Sequence, residues 1–218
     1  MAITFPVSLP NLVDLLKIES VSWNLVYQQE HSGLGSGEGL SHDLGPPLWE
    51  ADVSCAPFPH ADVEKWRARF LGLDGSNQSF MLYNPAAKHP ETDEAGTALA
   101  GHNLTVLSVG ANRKEFAIAG LPAGFEVPWG AYAQIEAGSP TRVALVQFLD
   151  GKTATALGNT SAIECRPHLR PWVAAGAVVT LIKAAAKVKL VPNSLRVETT
   201  GALHSRLRFA ARQTLAAG

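Results

Sequence analysis

Residues 48–85, LWEADVSCAPFPHADVEKWRARFLGLDGSNQSFMLYNP, constrain the fold more than any other stretch, because they alone read as strand, helix and strand with clear boundaries. Trp49, Ala51, Val53 and Cys55 alternate with Glu50, Asp52 and Ser54, as a half-buried strand requires. Pro57 and Pro59 stop that strand. Beyond them Val63, Trp66, Phe70 and Leu73 fall three or four apart on one helical face, with Asp62 and Glu64 in the first turn, where the helix dipole favours negative charge. Asp74-Gly75 ends the helix, and residues 80–83 form the next strand, closed by Asn84-Pro85. A three-turn helix does not persist alone in water. Burial of each apolar side chain on its face contributes about 1.5–3 kcal/mol, so the helix is expected to pack on a sheet. The expected core of this unit is Trp49, Val53, Trp66, Phe70, Phe80 and Tyr83.

Upstream, residues 3–9 read as a short strand ended by Pro10, and residues 12–18 as a helical turn. Val21, Trp23, Leu25 and Tyr27 then alternate with polar residues as a second strand. The glycine-rich stretch 31–45, HSGLGSGEGLSHDLG, lacks the Lys-Ser/Thr of a phosphate loop and is followed by a strand rather than a helix, so it is expected to be a mobile loop between two strands. Residues 88–100 are acidic and without period, and read as a connection between domains. Short strands follow at 104–109, 115–119, 131–137, 142–149, 160–166, 177–183, 187–191, 195–199 and 206–211, with hairpin-type turns at Asp150-Gly151 and Gly158-Asn159. Many short strands with little helix imply a small barrel or sandwich.

A chain of 218 residues suffices for one large domain or two small ones. Charged residues make up 17% against a typical ~25%, which suits either a surface covered by neighbours in an assembly or a compact monomer with an alanine-rich surface. The net charge of −1 hides an asymmetry: residues 1–100 carry −8 and residues 101–218 carry +7. These opposite charges either neutralise each other within one fold or meet between subunits. MAITFPVSLP lacks the basic start and apolar core of a signal peptide, and no apolar run is long enough to span a bilayer, so retention in a cytosol until release is expected. Cys55 and Cys165, without a CxxC or nearby His, read as reduced, buried thiols.

Candidate chemistry does not converge. His42 with Asp43, and His60 with Asp62, set imidazole beside carboxylate as a general base would need, but the first pair lies in the glycine-rich stretch and the second reads as capping and dipole partners at the helix start. Glu50 and Asp52 share a strand face that should be wet, which does not suit a paired-carboxylate glycosidase. No GxSxG, HExxH or zinc spacing occurs. No catalytic, cofactor-binding or metal-ligating residue is assigned, no cofactor is expected, and the chain is not read as an enzyme. Lys183, Lys187, Lys189, Arg196, Arg206, Arg208 and Arg212 form a basic run without interleaved aromatic residues, so a solvated or intersubunit face is expected rather than a nucleic-acid site. Trp129, Tyr132 and Trp172 could offer sugar-stacking surfaces, which makes a carbohydrate-binding module the alternative reading. A hydrolase of the cell envelope is a second rival.

LDGSNQSFMLYNP followed by HPETDEAG, with LGPPLWEADV before them, resembles the distal tail proteins of long-tailed phages and gene transfer agents. The resemblance continues in order through AGLPAGF at 119–125, RPHLRP at 166–171, GAVVTL at 176–181 and KLVPNS at 189–194. One departure is Gly130-Ala131, where many relatives carry Gly-Asp. The resemblance implies a mainly β chain with a hub domain of two packed sheets and one helix, similar to a tail-tube protein, at residues 1–95 and completed by 186–218. It also implies a second small β-barrel, OB-like, at 98–185. It further implies a homohexameric ring at the tail tip, contacting the tail tube protein, the baseplate hub protein and tape-measure or fibre proteins. DNA would pass through the lumen without specific binding, the chain would not insert into a membrane, and assembly would take place in the host cytoplasm. In such a ring the 31–45 stretch would reach a neighbouring subunit or ring, and Arg166, His168 and Arg170 would lie at an interface.

Overall fold

The structure, a computed structural model, describes residues 4–33, 35–199 and 201–217. Its elements run β1 (Ile18–Gly33), β2 (Gly39–Cys55), β3 (Phe58–Pro59), α1 (His60–Leu71), β4 (Phe80–Tyr83), β5 (Leu104–Val109), β6 (Glu115–Ala119), β7 (Glu126–Val127), β8 (Tyr132–Ala137), β9 (Arg142–Phe148), β10 (Lys152–Thr153), β11 (Ile163–Arg166), β12 (Val178–Thr180), β13 (Ala185–Leu190), β14 (Arg196–Thr199) and β15 (His204–Gln213). The chain is mainly β, with antiparallel sheets and a closed six-stranded barrel. Ile3 of the first expected strand lies outside the described residues. Of the rest of that strand, Val7 makes a single parallel bridge to Phe80, and short 3-10 turns follow at Leu9–Asn11 and Val13–Leu15.

Where the resemblance implies two packed sheets, the strands bond into one seven-stranded sheet of order β1-β2-β15-β13-β4, with β14 and β3 also paired to β15. The alternation read in residues 49–55 is the burial pattern of β2: Trp49, Ala51, Val53 and Cys55 are buried, while Asp52 on the other face is exposed. In β15 Leu207, Phe209 and Ala211 turn the same way, and α1 lies over them. Phe70 closes an aromatic cluster, its ring centroid 4.7 Å from Phe209 and 6.0 Å from Phe80. Val53, Phe80 and Tyr83 join that core. Trp66 does not enter it fully. Val63 and Phe70 are the buried residues of α1, and Trp66 packs half-buried at the rim of the helix–sheet contact.

The barrel closes in the order β11-β6-β5-β12-β8-β9, one strand more than the five of an OB fold. Phe116 and Phe148, 5.6 Å apart, fill its centre with Ile118, Ile135, Ile163 and Val179. Val143 to Val146 of β9 are buried without alternation, because Val146 faces the barrel interior while Leu145 packs into the core under the large sheet. A side chain bonds to backbone across the same contact: the Ala185 N–H of β13 donates to Gln134 Oε1 of β8 at 2.8 Å.

Residues 88–100 are not the open connection that their composition suggests. Asp93 is buried and its carboxylate accepts hydrogen bonds from the backbone amides of Thr97, Ala98 and Leu99. Burial alone would push this carboxyl up, but the three amides and the nearby His89 outweigh it and hold Asp93 below the ordinary carboxylate range.

Candidate functional site

The 31–45 stretch, expected as a loop, is strand over most of its length. β1 and β2 stay paired through Gln29 with Asp43, Glu30 with His42, His31 with Ser41, Ser32 with Leu40 and Gly33 with Gly39. Beyond Trp49 this hairpin leaves the covered part of the sheet, and residues 29–33 and 39–44 are all exposed. With both faces in water no hydrophobic alternation marks these strands, and the glycines are the strongest local signal left in the sequence. Three large apolar side chains stand on this projecting ribbon: Tyr27 at 50%, Leu40 at 54% and Leu44 at 67% exposure. Local polar bonds cross between its strands beside two register shifts at Gln28, with Gln29 Nε2 donating to Asp43 Oδ1 at 2.7 Å and Gln28 Nε2 to the Pro46 carbonyl at 3.0 Å. Among the described residues β1 pairs only with β2, so its outer edge offers free backbone groups.

The carboxylates beside His42 and His60 in the sequence are bonded to other residues in the structure. His60 is not a cap of α1: Pro59 occupies the N-cap position, His60 Nδ1 lies 2.7 Å from Ser205 Oγ and its Nε2 lies 3.1 Å from the Ala202 carbonyl. Asp62 instead pairs with Lys65 at 2.8 Å. Asp43 is taken by Gln29, and Glu50 by Arg212 at 2.9 Å. Among the described residues no group of three or more His, Cys, Asp or Glu could hold a metal ion.

The basic run is not an open patch either. Arg206 pairs with Glu19 at 3.0 Å, Arg208 with Glu198 at 3.5 Å and Lys183 with Asp14 at 2.7 Å. Lys187 is only 2% exposed, and its ammonium donates to the Ala216 carbonyl. Burial, with Lys189 alongside, pulls its pKa down. Three of these cations, Lys183 on Asp14, Arg206 on Glu19 and Arg212 on Glu50, join the basic half of the sequence to the acidic half inside one chain.

Arg166, His168 and Arg170 part company. Arg166 bonds Glu164 at 2.8 Å and its own neighbour's carbonyl at Cys165, whereas Arg170 reaches across to the Pro47 carbonyl of β2 at 3.0 Å and so ties the barrel to the root of the hairpin. His168 is exposed, and desolvation together with Arg166 and Lys114 lowers its pKa below the usual imidazole value. Of the three candidate sugar platforms, Tyr132 packs edge-on against Trp49 at 5.5 Å and Trp172 against the barrel core, which leaves Trp129 as the exposed one, at 76%. No family model matches the chain, and no curated protein matches it.

Proposed function

We propose that this chain is a structural protein of a virion, six copies of which close a ring at the distal end of a non-contractile tail. The observation that supports this most is the projecting half of the β1–β2 hairpin. A two-stranded ribbon is at best marginally stable by itself in water. One that also holds Tyr27, Leu40 and Leu44 exposed is built to be covered by another subunit. A head-to-tail contact of this kind, repeated around an axis, closes a ring, and each contact buries on the order of 800 Å² per partner.

In this reading the sheet with α1, residues 1–95 completed by 186–218, is the hub domain, and the barrel at 98–185 is the second, OB-like domain carried on it. The ring joins the tail tube protein above to the baseplate hub protein below, with tape-measure or fibre proteins as further neighbours, and frames the channel through which DNA leaves. The pairing of Arg206, Arg208 and Arg212 with carboxylates of the same sheet suits a lumen that passes DNA without holding it. Among the described residues no helix is long and apolar enough to cross a membrane.

Antibody against the chain, used on tailed particles from the source culture, should label one band at the tail tip in electron micrographs. Accessible tips that stay bare would overturn this function.

A further inference from the structure

The turn that carries Trp129 is held far more rigidly than an exposed side chain needs. Gly130 N–H donates to the Phe148 carbonyl at 3.0 Å, Gln147 Nε2 donates to the Gly130 carbonyl at 3.0 Å, and Ala131 N–H closes the turn on Pro128. Gly130 takes a φ of 80°, where a side chain would be strained, and a Cβ on Gly151 would come within 3.3 Å of the Trp129 amide nitrogen. The backbone beneath the indole is thus locked to the barrel while the ring itself stands in water.

Facing it is a second rigid element. Thr92 Oγ1 donates to the Glu126 carbonyl of β7 at 2.7 Å, and the neighbouring Asp93 clasps three backbone amides, which together fix the turn bearing Glu91 and Glu94. Between the two lies an open groove of about 380 Å³, lined by Trp129, Glu91, Glu94, His89, Pro128 and Tyr132 among others, with no lysine or arginine on its wall.

The chemistry of this groove selects a ligand class. It offers one flat apolar face and two exposed carboxylates. A quaternary ammonium is held best by several aromatic faces, and Tyr132 is committed to Trp49 and cannot supply a second. A neutral pyranose presents an apolar C–H face to stack on an indole and hydroxyls that donate to carboxylates, the combination of apolar wall and few convergent polar groups typical of small-ligand sites. Glu91 and Glu94 would repel an acidic sugar.

We propose that the groove between Trp129 and the Glu91–Glu94 turn binds neutral pyranose saccharides, with Trp129 as the stacking platform and the two glutamates as hydroxyl acceptors. This site is independent of ring formation, and its test does not require a ring. Saturation-transfer NMR on the full chain, with cellotriose, maltotriose, chitotriose and an α-rhamnose trisaccharide as probes, should give transfer to at least one of them. Trp129→Ala, which removes an exposed ring and should leave the melting temperature unchanged, should weaken that binding by about tenfold or more. Glu91→Gln with Glu94→Gln should weaken it less and should relieve rejection of trigalacturonate. Absence of transfer to all four neutral probes overturns the proposal, as does binding that Trp129→Ala leaves intact. Choline or a lysine derivative bound through Trp129 in place of any saccharide would make the groove a cation site instead.

Discussion

Trp49 Nε1 donates a hydrogen bond of 2.8 Å to the Leu145 carbonyl, joining β2 of the large sheet to β9 of the barrel through a buried contact. The same indole stacks near Trp23, 6.1 Å between centroids, and meets the edge of Tyr132. One side chain thus holds the sheet hairpin and the barrel wall in register. Trp49→Phe keeps most of the packing but leaves a buried carbonyl without its donor, and should cost about 1–3 kcal/mol. Trp49→Ala also opens a cavity and should cost about 3–5 kcal/mol. Equilibrium denaturation of the two variants separates the bond from the packing; a Phe variant as stable as the native chain would mean the bond contributes nothing.

Helix α1 allows a sharper comparison. Phe70 is buried between Phe80 and Phe209, whereas Trp66 lies at the rim. Phe70→Ala should therefore cost about 3–5 kcal/mol, and Trp66→Ala roughly half as much despite its larger ring, because less of its surface leaves water on folding. Denaturant midpoints for both variants test this order.

The Asp93 clasp makes an acid-sensitive contribution. Its carboxyl is held below its ordinary range in the folded chain, so its stabilisation is present in full above the unfolded carboxylate pKa and is lost as pH falls through the folded one. Asp93→Asn should destabilise by about 1–3 kcal/mol at neutral pH, and the gap between variant and native chain should narrow as the solution is taken below the usual carboxylate range. A gap that stayed constant through that acid range would show that the carboxylate's charge is not what matters.

Cys55 and Cys165 are free, fully buried and in separate cores, and burial pushes each thiol up to about 12. At neutral to mildly alkaline pH both remain protonated and inert. Iodoacetamide at pH 8 should modify neither in the native chain and both once it is unfolded, as read by intact mass. Rapid native labelling of Cys55 would place a local opening at the end of β2.

How much of this was legible in the sequence depended on whether burial was one-sided. Residues 49–55 showed their alternation because one face of β2 is covered and the other wet. The outer hairpin hid its strands because neither face is covered there. Lys187 read as surface charge, yet it is buried on a carbonyl near the end of the chain, a contact between elements that no local pattern records. Asp93 was lost in an acidic, proline-bearing stretch because its partners are backbone amides, which carry no side-chain signature. Trp129 and Tyr132 looked alike as candidates. Only the packing of Tyr132 against Trp49 distinguishes a core ring from an exposed one.

The hairpin offers the most direct test of the proposed ring. Tyr27, Leu40 and Leu44 are exposed and contribute little to the folded monomer, so replacing all three with serine should change its stability by no more than about 0.5 kcal/mol per site. If a neighbouring subunit covers them, the same change removes apolar area worth roughly 25 cal/mol per Å² from every contact around the ring. Because each contact is repeated, the loss compounds on closure. Sedimentation velocity at equal protein concentrations should then show the native chain populating a hexamer and the triple variant remaining monomeric, with matching thermal unfolding of the two monomers. If the variant still forms hexamers, the ring closes through some other face, and the hairpin's exposed side chains serve an axial neighbour instead.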